Sequence, residues 1–336
     1  MIGARERAAL AKWLELQRSE SLNELRQLAG GNSNETYLLE TSGGPRIVRR
    51  PPRAAIDASA HSMSREHRVL AALAETDVPA PRPLAFCEDL DVLGAPFILM
   101  ELVEGVALTD RLPDAYAQDV HGAGVAIVDA LAKLHCARWQ ELGLEGFGRP
   151  EGFLERQVGR WRSQYERYQV RDLPDFDTLA DWLAANRPPQ SEPAILHGDF
   201  HADNCLISLH EPRVTAILDW EMSSIGDPLL DLGLLLAFWG TDRPEPPAMQ
   251  RVQRFSRASG SPSRTELAAR YAERTGRSVE RLDYYLALAF WKLAAIVEGA
   301  YAHFLAGEVA DEYSRQLGED VPRLLREAIR FSEGRI

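Results

Sequence analysis

The chain has 336 residues, 45% of them hydrophobic, enough for a sizeable core and for two domains or one large two-lobed domain. Its 38 basic and 50 acidic residues leave a net charge of −12, which argues against a general binder of nucleic acid or of an anionic membrane surface. Three scattered cysteines, Cys87, Cys136 and Cys205, lie in apolar runs and speak against a disulfide framework or a zinc cluster.

The segment Met1 to Gln17 has helical period, with Leu10, Trp13 and Leu14 on one face. It lacks the apolar core and small-residue cleavage site of a signal peptide. No run reaches the roughly 18 apolar residues of a membrane span. The expectation is a cytoplasmic protein with reduced thiols and no membrane partner. Next come Gly30 and Gly31, which allow unusual backbone angles, and Asn32, Ser33 and Asn34, which offer donors to phosphates as nests do. By itself this stretch reads as a plain β-turn; because it leads into β-prone runs over Glu35–Glu40 and Pro45–Arg50, the second of which carries Arg49, it reads as a phosphate-covering loop. A helix is expected over Met63–Glu75. Its residues Met63, Glu66, Leu70 and Leu73 recur at spacings of three and four and share a face. A glutamate on an apolar stripe wants a partner, because a buried unpaired carboxylate is costly. Alternation along the Arg46–Arg50 strand sends Ile47 and Arg49 one way and Arg50 the other. Arg49 is therefore paired with Glu66, and Arg50 is the alternative.

Pro96–Leu102 reads as a buried strand, followed by a hinge at Val103–Gly105. Ala126–His135 reads as a core helix. His135 and Cys136 are adjacent on it and do not face each other, which argues against a nucleophile pair. Leu229–Trp239 and the run 286–297 read as buried helices. Asp227 suits the cap of a helix that Pro228 opens, and Asp231, inside that helix, suits a hydrogen-bonding brace. Among the late helices, Tyr284, Tyr285, Trp291, Lys292 and Glu298 are candidates to line an acceptor pocket, with Glu298 meeting either a ligand cation or Lys292. Periodicity alone gives an α+β chain with a helix-rich second half.

The most informative stretch is Ile195-Leu-His-Gly-Asp-Phe-His-Ala-Asp-Asn-Cys-Leu-Ile207, followed by Ala216-Ile-Leu-Asp-Trp-Glu221. Cys205–Ile207 and Val214–Leu218 flank a turn-like segment, Ser208–Arg213, and form a hairpin. A turn centred near Glu211 and Pro212 sets Asn204 opposite Asp219. Directly opposed residues have Cβ atoms about 4.5–5.5 Å apart. Two oxygen-bearing side chains at that separation can share Mg²⁺. Asp199 stands on the loop leading in.

His197-Gly-Asp199 with Asn204 resembles the catalytic loop of the aminoglycoside phosphotransferase and choline kinase group, relatives of the protein kinases. Asp219-Trp-Glu221 resembles its metal-binding segment. The resemblance spans nearly the whole chain. It implies a bilobal protein-kinase-like fold with an N-terminal nucleotide-binding lobe over residues 1–103 and a C-terminal catalytic and substrate-binding lobe over residues 104–336. It also implies ATP and Mg²⁺ as cofactors and transfer of the γ-phosphate to a small-molecule hydroxyl. In such enzymes the loop aspartate orients or deprotonates the attacking hydroxyl, while the asparagine and the later aspartate hold Mg²⁺. Asp199 becomes the base, and Asn204 and Asp219 the metal ligands. His201 stands where many protein kinases have a lysine, and either helps neutralise the transferring group or makes a local hydrogen bond. The Arg49–Glu66 pair resembles the one that holds the α- and β-phosphates, with arginine in place of the more usual lysine. Glu101 and Val103 fall where relatives carry the adenine on main-chain groups.

Asp219-Trp-Glu-Met-Ser-Ser-Ile-Gly-Asp-Pro-Leu-Leu-Asp231, with Tyr284 to Gly299, is similar to bacterial phosphotransferases related to the kinase region of acyl-CoA dehydrogenase fusion proteins. That branch implies a hydroxyacyl or other small-metabolite acceptor; the wider family implies an aminoglycoside. Two other readings compete. His197, Asp199 and His201 alternate and on a strand would offer ligands for zinc, giving a metal-dependent hydrolase. A non-catalytic nucleotide-binding module is the other.

Overall fold

The structure, a computed structural model, describes residues 2–28, 34–52, 56–108, 112–240 and 254–334; for residues 56–62 and 254 it describes the backbone alone. Gly31, Asn32 and Ser33 lie outside the described residues.

Helix α1 (Ala4–Arg18) precedes a five-stranded antiparallel sheet formed by β1 (Leu22–Gln27), β2 (Glu35–Thr41), β3 (Gly44–Arg50), β4 (Pro83–Cys87) and β5 (Phe97–Glu101), in the order β1-β2-β3-β5-β4. Helix α2 (Ile56–Leu73) joins β3 to β4, and the short α3 (Leu90–Leu93) joins β4 to β5. Strand alternation builds the layers. Tyr37, Leu39, Val48, Phe97 and Leu99 point to one face, where Leu10 and Leu14 of α1 cover them. Leu38, Ile47, Ile98 and Met100 point to the other, where Met63, Leu70 and Leu73 of α2 cover them. Arg49 therefore projects towards α2 and Arg50 towards α1. The edge strands β1 and β4 do not stand out in the sequence: polar residues interrupt the apolar pattern of β1, and β4 is a run of only five residues that opens on Pro83.

The chain leaves the sheet through residues 102–105 into β6 (Val106–Ala107), which pairs with β8 (Cys205–Ile207) of the hairpin that β9 (Val214–Ile217) completes. Strand β7 (Ala194–Leu196) pairs with β10 (Ser224–Gly226). The rest is helical: α4 (Val120–Cys136), α5 (Phe153–Tyr168), α6 (Pro174–Ala185), α7 (Leu229–Phe238), α8 (Arg264–Thr275), α9 (Leu282–Leu305) and α10 (Glu312–Ser332). Helix α9 is the centre of this part and packs on α5, α7 and α10. It is the one described helix long and apolar enough to cross a membrane, and 72% of its apolar window is buried inside the protein.

Candidate active site

The loop after β7 is held from behind. Asp231 on α7 is buried, and its carboxylate accepts from His197 N at 2.7 Å and Gly198 N at 3.0 Å. The same carboxylate lies 3.3 Å from His135 Nε2. Burial would push the Asp231 pKa up, yet His135 and these donors hold it below the ordinary range. Gly198 has φ +86°, and a Cβ there would collide with the Met222 carbonyl. Only glycine tolerates both conditions. Lys292 of α9 donates from Nζ to Gly198 O at 3.1 Å. The brace expected of Asp231 is thus present. Asp227 accepts from Leu229 N at 3.1 Å, with Pro228 at the cap position itself.

His197 is fully buried against Trp220 and Phe200. Its Nε2 donates to Leu218 O at 2.8 Å, and its Nδ1 accepts from Asp199 N at 3.3 Å. Both ring nitrogens are engaged, and burial lowers its pKa, so it is a neutral strut. This removes the zinc reading of His197, Asp199 and His201. Among the described residues no cluster of three or more His, Cys, Asp or Glu side chains is arranged to hold a metal.

The Asp199 carboxylate is 44% exposed at the cleft, 3.5 Å from His201 Nε2. Asn204 donates from Nδ2 to Asp199 O at 2.9 Å and lies 3.2 Å from His201 Nε2. Burial raises the Asp199 pKa, but the His201 hydrogen bond and the charges of His201 and Lys292 bring it down to about 2.

The hairpin register differs from the expected one by a residue. Cys205 opposes Ile217, and Leu218 N donates to Asn204 O at 2.7 Å, so Asn204 faces Leu218 rather than Asp219. A bulge between Leu206 and Ile207 shifts the pairing, and symmetric counting from the turn cannot show it. Asp219 follows in the left-handed region, φ 66°, a conformation rare outside glycine. It stands two residues beyond the end of β9 and meets Arg49.

Arg49 is the centre of an acidic cluster. Its Nε lies 3.0 Å from Glu66 Oε1, its Nη2 contacts Asp219 Oδ1, and the same nitrogen is 3.8 Å from Glu221 Oε2. Glu66 is buried; desolvation raises its pKa to about 7, Arg49 opposes the rise, and Asp219 and Glu221 add to it. Arg50, the alternative partner, is buried on the opposite face with Glu35, Glu6 and the Leu93 carbonyl. Asn34 donates from Nδ2 to Glu221 Oε2 at 2.9 Å, tying the start of β2 to the Asp219 segment. The Asn34–Glu221 tie is missing from the sequence reading, since 187 residues separate the two. At the linker, Glu101 N already donates to Arg82 O at 3.0 Å. Among the described residues the Val103 main chain has no hydrogen-bond partner.

Of the five late-helix candidates only Lys292 reaches a cavity at the loop. Tyr284 is buried, Tyr285 donates its hydroxyl to Asp227 at 2.9 Å, and Trp291 donates to Phe176 O at 2.9 Å. Glu298 pairs with Arg171 at 2.8 Å, which corrects the pairing with Lys292 or a ligand cation. The cavity, ≈ 70 Å³, lies between Gly198, Met222, Asp231 and Lys292 on one side and Phe153, Gln157 and Trp161 of α5 on the other. The α5 residues give no sequence signal beyond amphipathic period.

A small antiparallel sheet set over a helical part, with the Asp199 loop, the hairpin and Arg49 meeting between them, is the protein-kinase-like α+β architecture shared with aminoglycoside phosphotransferases. The phosphotransferase enzyme family matches residues 24–274, and the chain belongs to that family. Acyl-CoA dehydrogenase family member 11 of Gallus gallus is 36% identical over 315 residues, covering 92% of this chain and 40% of that protein. The chain thus spans about two fifths of the length of the curated relatives it matches. A Ralstonia eutropha protein described as an aminoglycoside phosphotransferase superposes with a TM-score of 0.85 at 29% identity, covering 97% of this chain and 98% of that one. An aminoglycoside phosphotransferase solved with AMP-PNP and hygromycin B shares the fold at a TM-score of 0.63 and 16% identity, covering 95% of this chain and 98% of its own.

Proposed function

We propose that the chain is an ATP- and Mg²⁺-dependent kinase of a small-molecule hydroxyl, with residues 1–103 forming the nucleotide lobe and residues 104–336 the catalytic and acceptor lobe. One observation carries the reading. Three carboxylates, Glu66, Asp219 and Glu221, converge on the single cation Arg49. When all three are ionised this leaves an excess of two negative charges, which suits a divalent cation, and Asp219 and the Asn204 amide oxygen are the hard oxygen donors that Mg²⁺ takes. The Asn204 amide nitrogen is committed to Asp199, so its oxygen is the end left for a metal. When bound, Mg²⁺ neutralises charge on the phosphates.

The chain's own groups supply the rest. Asp199, ionised across the neutral range, accepts a hydrogen bond from the acceptor hydroxyl and aims its oxygen. A carboxylate held near pKa 2 is a weak base. Its work is orientation, with the proton arriving late, as a loose phosphoryl-transfer transition state allows. His201 steadies that carboxylate and, when protonated, adds positive charge beside the transferring group. Arg49, kept in place by Glu66, offers its planar fork to phosphate oxygens. Asn34, with the neighbouring Gly31, Asn32 and Ser33, covers the phosphates. The Val103 main chain and the Glu101 carbonyl receive the base. A neighbour solved with AMP-PNP supports a nucleotide in this cleft. An ATP-consuming enzyme with three free cysteines suits the cytoplasm.

The test is ADP formation with ATP or GTP and Mg²⁺ across a panel in which hydroxylated acyl compounds and aminoglycosides stand side by side. Asp199→Asn should lower turnover about 10²–10⁴-fold while sparing nucleotide affinity. Undiminished transfer by that variant would refute the assignment.

A further inference from the structure

Beside the Gly198–Lys292 cavity runs a groove of ≈ 430 Å³ whose walls carry four arginines, Arg65, Arg149, Arg156 and Arg160. The two spaces are neighbours: Phe153, Gln157, Arg160 and Ser224 line both. Among the described residues none of the four guanidiniums forms an ion pair with a carboxylate, although the chain as a whole carries an excess of acidic residues. Their protein partners are neutral. Arg65 donates to Phe147 O at 2.8 Å and Ser223 O at 3.1 Å and lies 4.3 Å over the Phe147 ring. Arg156 donates to Glu151 O at 2.6 Å and to Arg149 O. Arg160 and Lys292 each stand 5.0 Å from the centre of one indole, Trp161. Arg160 also depresses the Lys292 pKa, after burial, against the pull of Asp199 and Asp231. Like charges gathered in a concavity without a counter-ion raise the energy of the empty site and lower that of a site holding an anion.

We infer that this groove is an anion subsite of the acceptor pocket, and that the acceptor carries a phosphate group, as an ester or diphosphate, at the end away from the hydroxyl to be phosphorylated. The inference rests on the phosphotransferase reading above and deepens it. Four guanidiniums exceed what one carboxylate needs and match the multiple charges and oxygens of a phosphate, which arginine binds by paired N–H donors. A polycationic aminoglycoside would meet four like charges there. The groove thus favours an anionic metabolite as acceptor.

The test uses the full chain in metal-free buffer with EDTA, where triphosphate binding at the cleft is weakest. Calorimetric titration with inorganic pyrophosphate is expected to show binding that succinate reproduces far more weakly. Arg149→Glu and Arg160→Glu remove exposed side chains with no protein hydrogen bond to lose. Each should weaken pyrophosphate about tenfold or more, with ATP affinity in Mg²⁺ buffer unchanged and Arg160→Lys retaining part of the binding. No pyrophosphate binding, equal binding by wild type and both Glu variants, or succinate binding as tight as pyrophosphate would each overturn the proposal. Failure of the phosphotransferase reading shows separately, as full turnover by Asp199→Asn. That substitution lies outside the groove and should leave the pyrophosphate titration intact.

Discussion

Asp199 and Glu66 are both acids in one cleft, and their surroundings push them in opposite directions. Asp199 is about half exposed and lies beside His201 and Lys292, so it stays ionised well below neutral pH. The contribution of this depressed carboxylate to stability is present above the ordinary aspartate pKa and is lost as pH falls through about 2. An acid limb of kcat above about pH 4 therefore should not come from Asp199, and a pH–rate profile of an active acceptor checks this. Glu66 is the reverse case. Its folded-state pKa, about 7, lies above the unfolded value, so the folded chain binds the extra proton between roughly pH 4.5 and 7 and stability falls as pH rises through that window. Glu66→Gln should flatten this slope in urea unfolding measured from pH 5 to 7.5. A slope equal to that of wild type would show that Glu66 is already ionised at the lower end. If the cleft takes Mg²⁺ as proposed, the added ion should work in the same direction as the substitution, by relieving the repulsion from Asp219 and Glu221.

At the scale of elements, the geometry of the Asp199 loop is set by α7. Asp231 fixes two successive backbone amides, and Gly198 lets the loop pass against Met222. Asp231→Ala leaves those donors and His135 without their acceptor, and should cost about 3–5 kcal/mol of stability by denaturant titration, the penalty for breaking a buried charged network. Gly198→Ala should cost about 1–3 kcal/mol from its left-handed backbone alone, more with the clash. These braces were readable from single residues: an aspartate among leucines, a glutamate on an apolar stripe, a strand whose alternation separated Arg49 from Arg50. What was not readable has a common cause. The one-residue shift of Asn204 against Leu218 comes from a bulge, the Glu298–Arg171 pair joins segments 127 residues apart, and the α5 wall of the cavity is defined only by what packs opposite it. Each depends on tertiary position, which local pattern does not contain. The burial of Tyr285 and Trp291 follows the same rule. Their polar atoms were satisfied by Asp227 and the Phe176 carbonyl, not by a ligand.

For the whole molecule, α2 is the element that belongs to both halves. Its Glu66 reaches Arg49 on the sheet, while Arg65 and Arg68 donate to carbonyls at Phe147, Ser223, Gly143 and Glu145 in the helical half. Removing the Arg68 fork should loosen that contact: Arg68→Ala is expected to cost about 1–3 kcal/mol and to speed hydrogen exchange in α2, with the helices around α9 unaffected. The central claim is that this cleft gathers one magnesium–triphosphate unit between Arg49, Asp219 and Asn204. The most direct measurement is ATP affinity by calorimetry, with and without Mg²⁺, for wild type, Asp219→Asn and Asp199→Asn. The account predicts that Mg²⁺ tightens ATP binding about tenfold or more in wild type and in Asp199→Asn, and that Asp219→Asn loses most of that gain. Equal affinities with and without the metal, or a metal effect that survives Asp219→Asn in full, would contradict it.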